Sequence, residues 1–249
     1  MKNILNKIYF HPFFLLTLLI FILIGRFRFI IYFMLLIIIH ELGHVLVSKL
    51  FKWKIDKIII LPFGGLTKYN EIINRSLMEE FLVAISGVIV QIIFYKFIHD
   101  YIDYKYFNFI NYFIVIFNLL PIYPLDGSKI LNVLFNVITT FKNSMLLTVI
   151  VSYITIIILS LLLFNINKLL FMMFIFLFME VNKYYKEKDL IFNRFLLERY
   201  LNEIKLKKEK VINDVSKMKR DYRHLFYIDN KYMTESTFLK KMFDINSNL

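Results

Sequence analysis

The sequence predicts a mainly helical, polytopic membrane protein with about six transmembrane helices, a short β hairpin at the membrane face and a small cytosolic C-terminal domain. Three observations predict it. Of the 249 residues, 59% are hydrophobic, with 28 Phe and 16 Tyr and a mean hydropathy of +0.61. A soluble domain is roughly 45–50% apolar. Apolar runs of about 20 residues, the length that crosses a ~30 Å hydrocarbon core, recur at 8–25, 29–51, 77–98, 106–123, 145–164 and 166–182. After Asn182 the composition changes to 16 basic and 10 acidic residues with no long apolar run. The division expected is therefore 1–182 as the membrane domain and 183–249 as a cytosolic tail.

In order along the chain, the first run follows Lys2 and Lys7 like a signal peptide, but no small-residue cleavage site follows it. Arg26-Phe27-Arg28 leads straight into the second run, so the first reads as a retained anchor. Between the second and third runs, Ile55 to Ile60 is rich in β-branched residues and Pro62-Phe63-Gly64-Gly65 follows as a turn. That is the expected hairpin. The fourth run is interrupted by Pro121 and Pro124.

Six spans place both termini on one side. With the N-terminus inside, the inner segments before the tail carry ten Lys and Arg, the outer loops five, and the tail sixteen more. The positive-inside bias thus puts both termini in the cytosol. It also accounts for the net charge of +12 without nucleic acid as a partner. The chain has no cysteine, which excludes disulfides, thiolate metal sites and a thiol nucleophile.

The second run holds His40-Glu41-Leu42-Gly43-His44, the pattern H-E-x-x-H. On a helix, residues i and i+4 share a face, so both imidazoles can reach one zinc ion while Glu41 stands beside the open coordination position. There it serves as general base for the attacking water and then protonates the leaving amine. Gly43 costs about 1 kcal/mol against Ala inside a helix, so it leaves room for a substrate backbone or a neighbouring helix. Eleven apolar residues, Phe29 to Ile39, precede the motif, which sets it at membrane depth, where ionisable groups signal function.

Two histidines and a water leave zinc one protein ligand short. His11, His99 and His224 are alternatives, but Asp126 fits better, because spans two and four both run towards the inner face and Asp126 follows the last apolar turn of span four. It lies within Asn118-Leu119-Leu120-Pro121-Ile122-Tyr123-Pro124-Leu125-Asp126-Gly127. Broken helix at that depth is tolerated where it lines a cavity or is buried in protein. The plain alternative is a Pro/Asp/Gly turn capping a helix over 128–140.

H-E-L-G-H, Pro62-Phe63-Gly64-Gly65 and N-x-x-P-x-x-P-L-D-G from Asn118 to Gly127 resemble the site-2 protease (M50) family of intramembrane zinc metalloproteases, over about 35–130. The likeness is nearest the branch that processes a membrane-associated sigma-factor precursor in spore formers. It implies a multi-pass protein of the bacterial inner membrane with zinc as cofactor, bound by His40, His44 and Asp126. Glu41 would be catalytic, with Asn118, Pro121, Pro124, Gly127, Gly64 and Gly65 positioning the substrate. The substrate would be a membrane-embedded or membrane-tethered protein, and inhibitory membrane partners are implied as well. Two departures stand out. Ser86-Gly87-Val88 and Gln91 occupy the place of a small-Gly-Pro…Asn motif, and Ser128 replaces a second glycine. The tail resembles a reduced CBS domain at Val211–Lys217, Arg223–Ile228 and Thr234–Phe243, which implies a nucleotide ligand there. A basic helical extension is the plain alternative.

The rival readings are a membrane metal transporter using the same His/Glu cluster, a prenyl-protein-type zinc protease with Glu180 as third ligand, and a catalytically dead binding partner. An unwound substrate segment is expected to lie extended beside span four, paired with the 55–65 strand.

Overall fold

The structure is a computed structural model that describes residues 7–61, 64–70, 73–102, 105–163, 168–202, 206, 208–228 and 230–246. It is mainly helical, with two small sheets. The chain forms two compact units, 1–71 with 81–130, and 72–80 with 131–249.

In the first unit, β1 (Ile8–Phe10) precedes α1 (Pro12–Leu23) and α2 (Phe27–Leu50). The first apolar run is therefore not a continuous span. His11 caps α1 by accepting the Phe13 N–H at 3.2 Å, with Pro12 at the first helical position, where its missing N–H costs nothing. Ile8–Phe10 instead pairs in parallel with β2 (Ile55–Leu61), which pairs antiparallel with β3 (Gly64–Tyr69). The expected hairpin is present, with Pro62 and Phe63 outside the described residues. Strand β2 is the central strand and is bonded on both edges.

Next come α3 (Leu77–Ile98) and α4 (Phe107–Asn118). Helix α4 stops five residues before the end expected at residue 123, because the Pro121 ring would clash with the carbonyl of Phe117 in a continued helix. A turn leads to α5 (Asp126–Ile138), which starts at Asp126 rather than at residue 128. The core of this unit joins Phe33, Leu36 and Ile37 of α2, Ile58 and Ile60 of β2, and Ile110 and Ile114 of α4.

Among the described residues, three helices are long and apolar enough to cross a membrane: Phe27–Leu50, the one starting at Leu77, and Phe141–Leu163, here α6. Helices α1 and α4 have 12 residues each, about 18 Å, short of a full crossing. Large apolar side chains face outward, such as Leu50 at 78% exposure, Leu161 at 77% and Phe97 at 74%. A surface of that kind suits lipid.

The second unit holds α6, α7 (Lys168–Leu201) and a sheet ordered β4 (Lys208–Ile212), β5 (Tyr222–Ile228), β6 (Lys231–Thr234), followed by α8 (Glu235–Asn246). Its core includes Phe141, Phe195, Leu196, Phe226 and Leu239. Ionic groups are buried here as well, and each has partners, as buried charge requires. Arg199 Nη1 meets Glu235 at 2.9 Å, its Nε donates to Asn74 Oδ1 at 2.7 Å, and Nη1 also donates to the Tyr222 carbonyl at 2.7 Å. Arg220 pairs with Glu80. His224 is fully buried, its Nε2 accepting the Lys219 N–H at 3.1 Å and its Nδ1 lying 3.2 Å from Glu235 Oε2.

Burial lowers the affinity of His224 for a proton below the ordinary histidine value of 6.5, and the nearby Glu235 only partly offsets this. Burial opposes ionisation of Glu235, but bonds from His224 and Arg199 outweigh it and hold this carboxyl below its usual range. Both groups bind protons more readily when unfolded, so the stability they contribute is present at neutral pH and is lost on acidification. For His224 the loss begins as pH falls through 6.5; for Glu235 it begins below the ordinary carboxylate value of 4.5. Amide exchange across β5 in the full-length protein, corrected for intrinsic rate, should therefore accelerate as pH falls from about 7 to 5. His224→Gln should flatten that slope, and an unchanged slope would remove His224 from the explanation.

Candidate metal centre

His40 and His44 stand one turn apart on α2, both buried, with ring centroids 4.9 Å apart. Asp126, at the start of α5, is brought to them. Its Oδ2 lies 3.0 Å from His40 Nε2 and 2.9 Å from His44 Nε2, and the two Nε2 atoms are 3.2 Å apart. A tetrahedral zinc ion with ~2.0–2.1 Å bonds separates its ligand atoms by about 3.3 Å, so the spacing fits. These three residues are the one group of His and carboxylate side chains close enough to hold an ion among the described residues.

The far side of each ring decides where the protons are. His44 Nδ1 lies 2.7 Å from the Val83 carbonyl, which only accepts, so Nδ1 is the donor. His40 Nδ1 lies 2.9 Å from Gln91 Oε1. The Gln91 amide nitrogen donates to the side-chain oxygen of Asn111 at 3.0 Å and to its carbonyl at 3.3 Å, which turns Oε1 towards His40. The neutral imidazole then also donates from Nδ1. Both Nε2 atoms present lone pairs, and with the Asp126 carboxylate three acceptors face one point. A cation satisfies that arrangement. The donors are imidazole and carboxylate, a set that suits zinc. Lys129 Nζ holds the other carboxylate oxygen, Asp126 Oδ1, at 2.8 Å.

The helix crossing is set by glycines. A Cβ on Gly43 would lie 2.6 Å from the Ser86 carbonyl and 2.9 Å from Gly87 Cα, so the neighbour it admits is the backbone of α3. A Cβ on Gly87 would press on the Nε2 atoms of both histidines. The space at Gly87 is the space beside the two Nε2 atoms.

Glu41 is buried, and its Oε2 accepts from Thr67 Oγ1 of β3 at 2.6 Å. Its Oε1 has no hydrogen-bond partner among the described residues. A side chain on Gly65 would overlap the Glu41 carboxyl, and one on Gly64 would come within 2.8 Å of Asn118 Oδ1. The first residues of β3 thus run between Glu41 and the end of α4. Asn118 donates back to the Ile114 carbonyl at 2.9 Å. Pro121 and Pro124 shape the 119–125 turn, with a cis bond at Tyr123–Pro124, and Gly127 packs against the Leu119 carbonyl.

The other histidines lie elsewhere. His11 caps α1, His99 pairs with Asp100 at 3.0 Å, and His224 pairs with Glu235. Glu180 is not part of the cluster. Four contributors escape a reading of the sequence as a site. Gly87 shows only as the retained glycine of a motif and Gln91 only as a departure from it, while Asn111 and Thr67 carry no local signal beyond a polar side chain.

Residues 28–99 and 103–162 match the family model described as "Peptidase family M50". The chain belongs to peptidase family M50. It is a zinc metalloendopeptidase of the intramembrane-cleaving kind, and an integral membrane protein. This M50 member is 32% identical to Stage IV sporulation protein FB of Bacillus subtilis, over 91% of this chain and 86% of that one. It is also 32% identical to a zinc metalloprotease of Methanocaldococcus jannaschii, over 38% of this chain and 30% of that protein. The solved structure of the Site-2 Protease from Methanocaldococcus jannaschii shares the fold, with a TM-score of 0.58 and 24% identity, covering 71% of this chain and 89% of that one.

Two substitutions probe the centre without touching His40, His44 or Asp126. Gly87→Ala should abolish zinc retention in purified protein that is still membrane-inserted and monodisperse in detergent. Gln91→Leu frees the His40 ring and should weaken zinc by about ten- to a hundredfold in chelator competition. Wild-type affinity in both variants would refute the reading of these contacts.

Proposed function

We propose that this M50 peptidase cleaves a membrane-embedded or membrane-tethered protein, with His40, His44 and Asp126 as the zinc ligands and Glu41 as the general base. The observation that carries the proposal is the meeting of two imidazole lone pairs and a carboxylate at one buried point, 2.9–3.2 Å apart. When bound, zinc supplies an acidified water and a Lewis acid for the scissile carbonyl.

The chain's own residues do the rest. Glu41 Oε1 accepts the proton of the attacking water and returns it to the leaving amine. A helical substrate must unwind, since its carbonyls are otherwise bonded within the helix. The unwound segment needs backbone partners. Strand β2 is bonded on both edges, so the pairing expected along 55–65 passes to the outer edge of β3. Gly64 and Gly65 keep that strand close to Asn118 and Glu41, while Pro121, Pro124 and Gly127 fold the turn that delivers Asp126.

Further parts of the proposal rest on likeness and charge. The identity to Stage IV sporulation protein FB over most of both chains supports a sporulation substrate, read here as a sigma-factor precursor held at the membrane. The six-span layout, with both termini in the cytosol and inhibitory membrane partners bearing on it, is part of the same reading. So is a domain 1–182 followed by a tail from 183, with a nucleotide in the tail. A cleft of about 450 Å³ is lined by Thr140, Lys210, Val211, Ile212, Asn213, Lys217 and Tyr227, and its two lysines are the feature that supports a phosphate-bearing ligand there.

The test is co-expression of a membrane-tethered substrate with wild-type protein or with Glu41→Gln. The variant should keep its zinc and lose cleavage by at least about a hundredfold. Equal cleavage by both would sink the proposal.

A further inference from the structure

We propose that Thr67 is a positioning residue for Glu41, so that the strand offered to the substrate also sets the catalytic carboxylate. This rests on the function proposed above and concerns a residue that no motif marks.

The pleat of β3 decides which of its side chains meet α2. Side chains alternate along a strand, and on β3 positions 65 and 67 share the face that meets α2. At 65 only the absence of a side chain lets the Glu41 carboxyl approach. At 67 a buried hydroxyl donates to Glu41 Oε2 at 2.6 Å. Neighbouring Lys68 points the other way and is exposed. Thr67 is therefore not a surface threonine that happens to lie near an acid.

The carboxylate itself supplies the second observation. Glu41 is buried at 4% exposure, yet Oε1 is unpartnered among the described residues. Leaving a buried acceptor unpaired is costly and calls for a reason. With Oε2 held by Thr67, the side chain cannot swing to satisfy Oε1 without giving up its one bond. The hydroxyl fixes the carboxylate plane and leaves a single oxygen for the proton. Tyr69, two residues on, does not compete for that proton, because burial pushes its hydroxyl well above the ordinary tyrosine value.

Because the bond comes from β3, it ties the base to the strand whose outer edge pairs with no other strand among the described residues. A peptide pairing there loads the same strand that orients Glu41. Substrate engagement and base orientation become one structural event.

The experiment compares Thr67→Val, Thr67→Ser and wild type in the full-length protein, with zinc affinity, KM and kcat on one membrane-tethered substrate. Valine keeps the shape and removes the donor, while serine keeps the donor. Thr67→Val should lower kcat by about ten- to a hundredfold, part of the 10²–10⁴-fold that general-base catalysis supplies, with zinc affinity and KM within about threefold of wild type. Thr67→Ser should retain kcat within about threefold. If valine upsets packing so that zinc is lost, Thr67→Ala repeats the deletion without branched bulk. Full-rate cleavage by the donorless variants overturns the proposal, and so does equal loss in serine and valine or loss that follows zinc release in every variant. A wild type that does not cleave, or a Glu41→Gln that does, fails the proposed function instead and is told apart by those two controls.

Discussion

Three acceptors cannot share one buried point unless something positive lies between them. His40 Nε2, His44 Nε2 and Asp126 Oδ2 converge within 3.2 Å, and much of the first unit serves to keep them there. The Val83 carbonyl and the Gln91–Asn111 amide chain hold the protons on the far side of the rings. Lys129 occupies the spare carboxylate oxygen. Gly43 and Gly87 let two helices approach until a methyl group would fill the space beside the two imidazoles. In an apolar surrounding each of these polar contacts is worth more made, and costs more broken, than at a wet surface.

How much of this was legible depended on how local the signal was. H-E-x-x-H is a five-residue pattern whose geometry follows from helical periodicity, so the paired imidazoles could be read directly. Asp126, more than eighty residues away, was legible because the expected layout ran two apolar segments the same way, so that both would end on one face. The hairpin was visible in its β-branched run and its glycines. The three-residue strand β1 was not, because Ile8–Phe10 continues into an apolar helix and hydropathy does not mark the boundary; the His11-Pro12 cap does. The same blindness placed the end of α4 too late, since the run stays apolar past Asn118 while the coming proline has already ended the helix.

Contacts that depend on tertiary folding left little trace. Gln91 was visible as a longer amide in the place of an asparagine, but its bond to His40 needs the register of α2 against α3. Asn111 is one polar residue in the apolar stretch of α4, and its task is clear only once Gln91 is seen to donate to it. Thr67 sits on a strand twenty-six residues from Glu41, and no spacing rule links a strand to a helix. In the second unit, the buried Arg199, Glu235 and His224 set is likewise assembled from a helix end, a strand and the start of α8. Its partners were hidden in a stretch that reads simply as mixed charge.

The central claim is that His40, His44 and Asp126 close on one zinc ion. Zinc K-edge absorption of the purified full-length protein, beside Asp126→Ala, tests it most directly. We expect one zinc per chain in the wild type, with two imidazole nitrogens and a carboxylate oxygen at about 2.0–2.1 Å, and a variant that has lost the carboxylate oxygen or the metal. Zinc in the wild type with a first shell lacking the paired imidazoles, or a shell unaltered by Asp126→Ala, would contradict it.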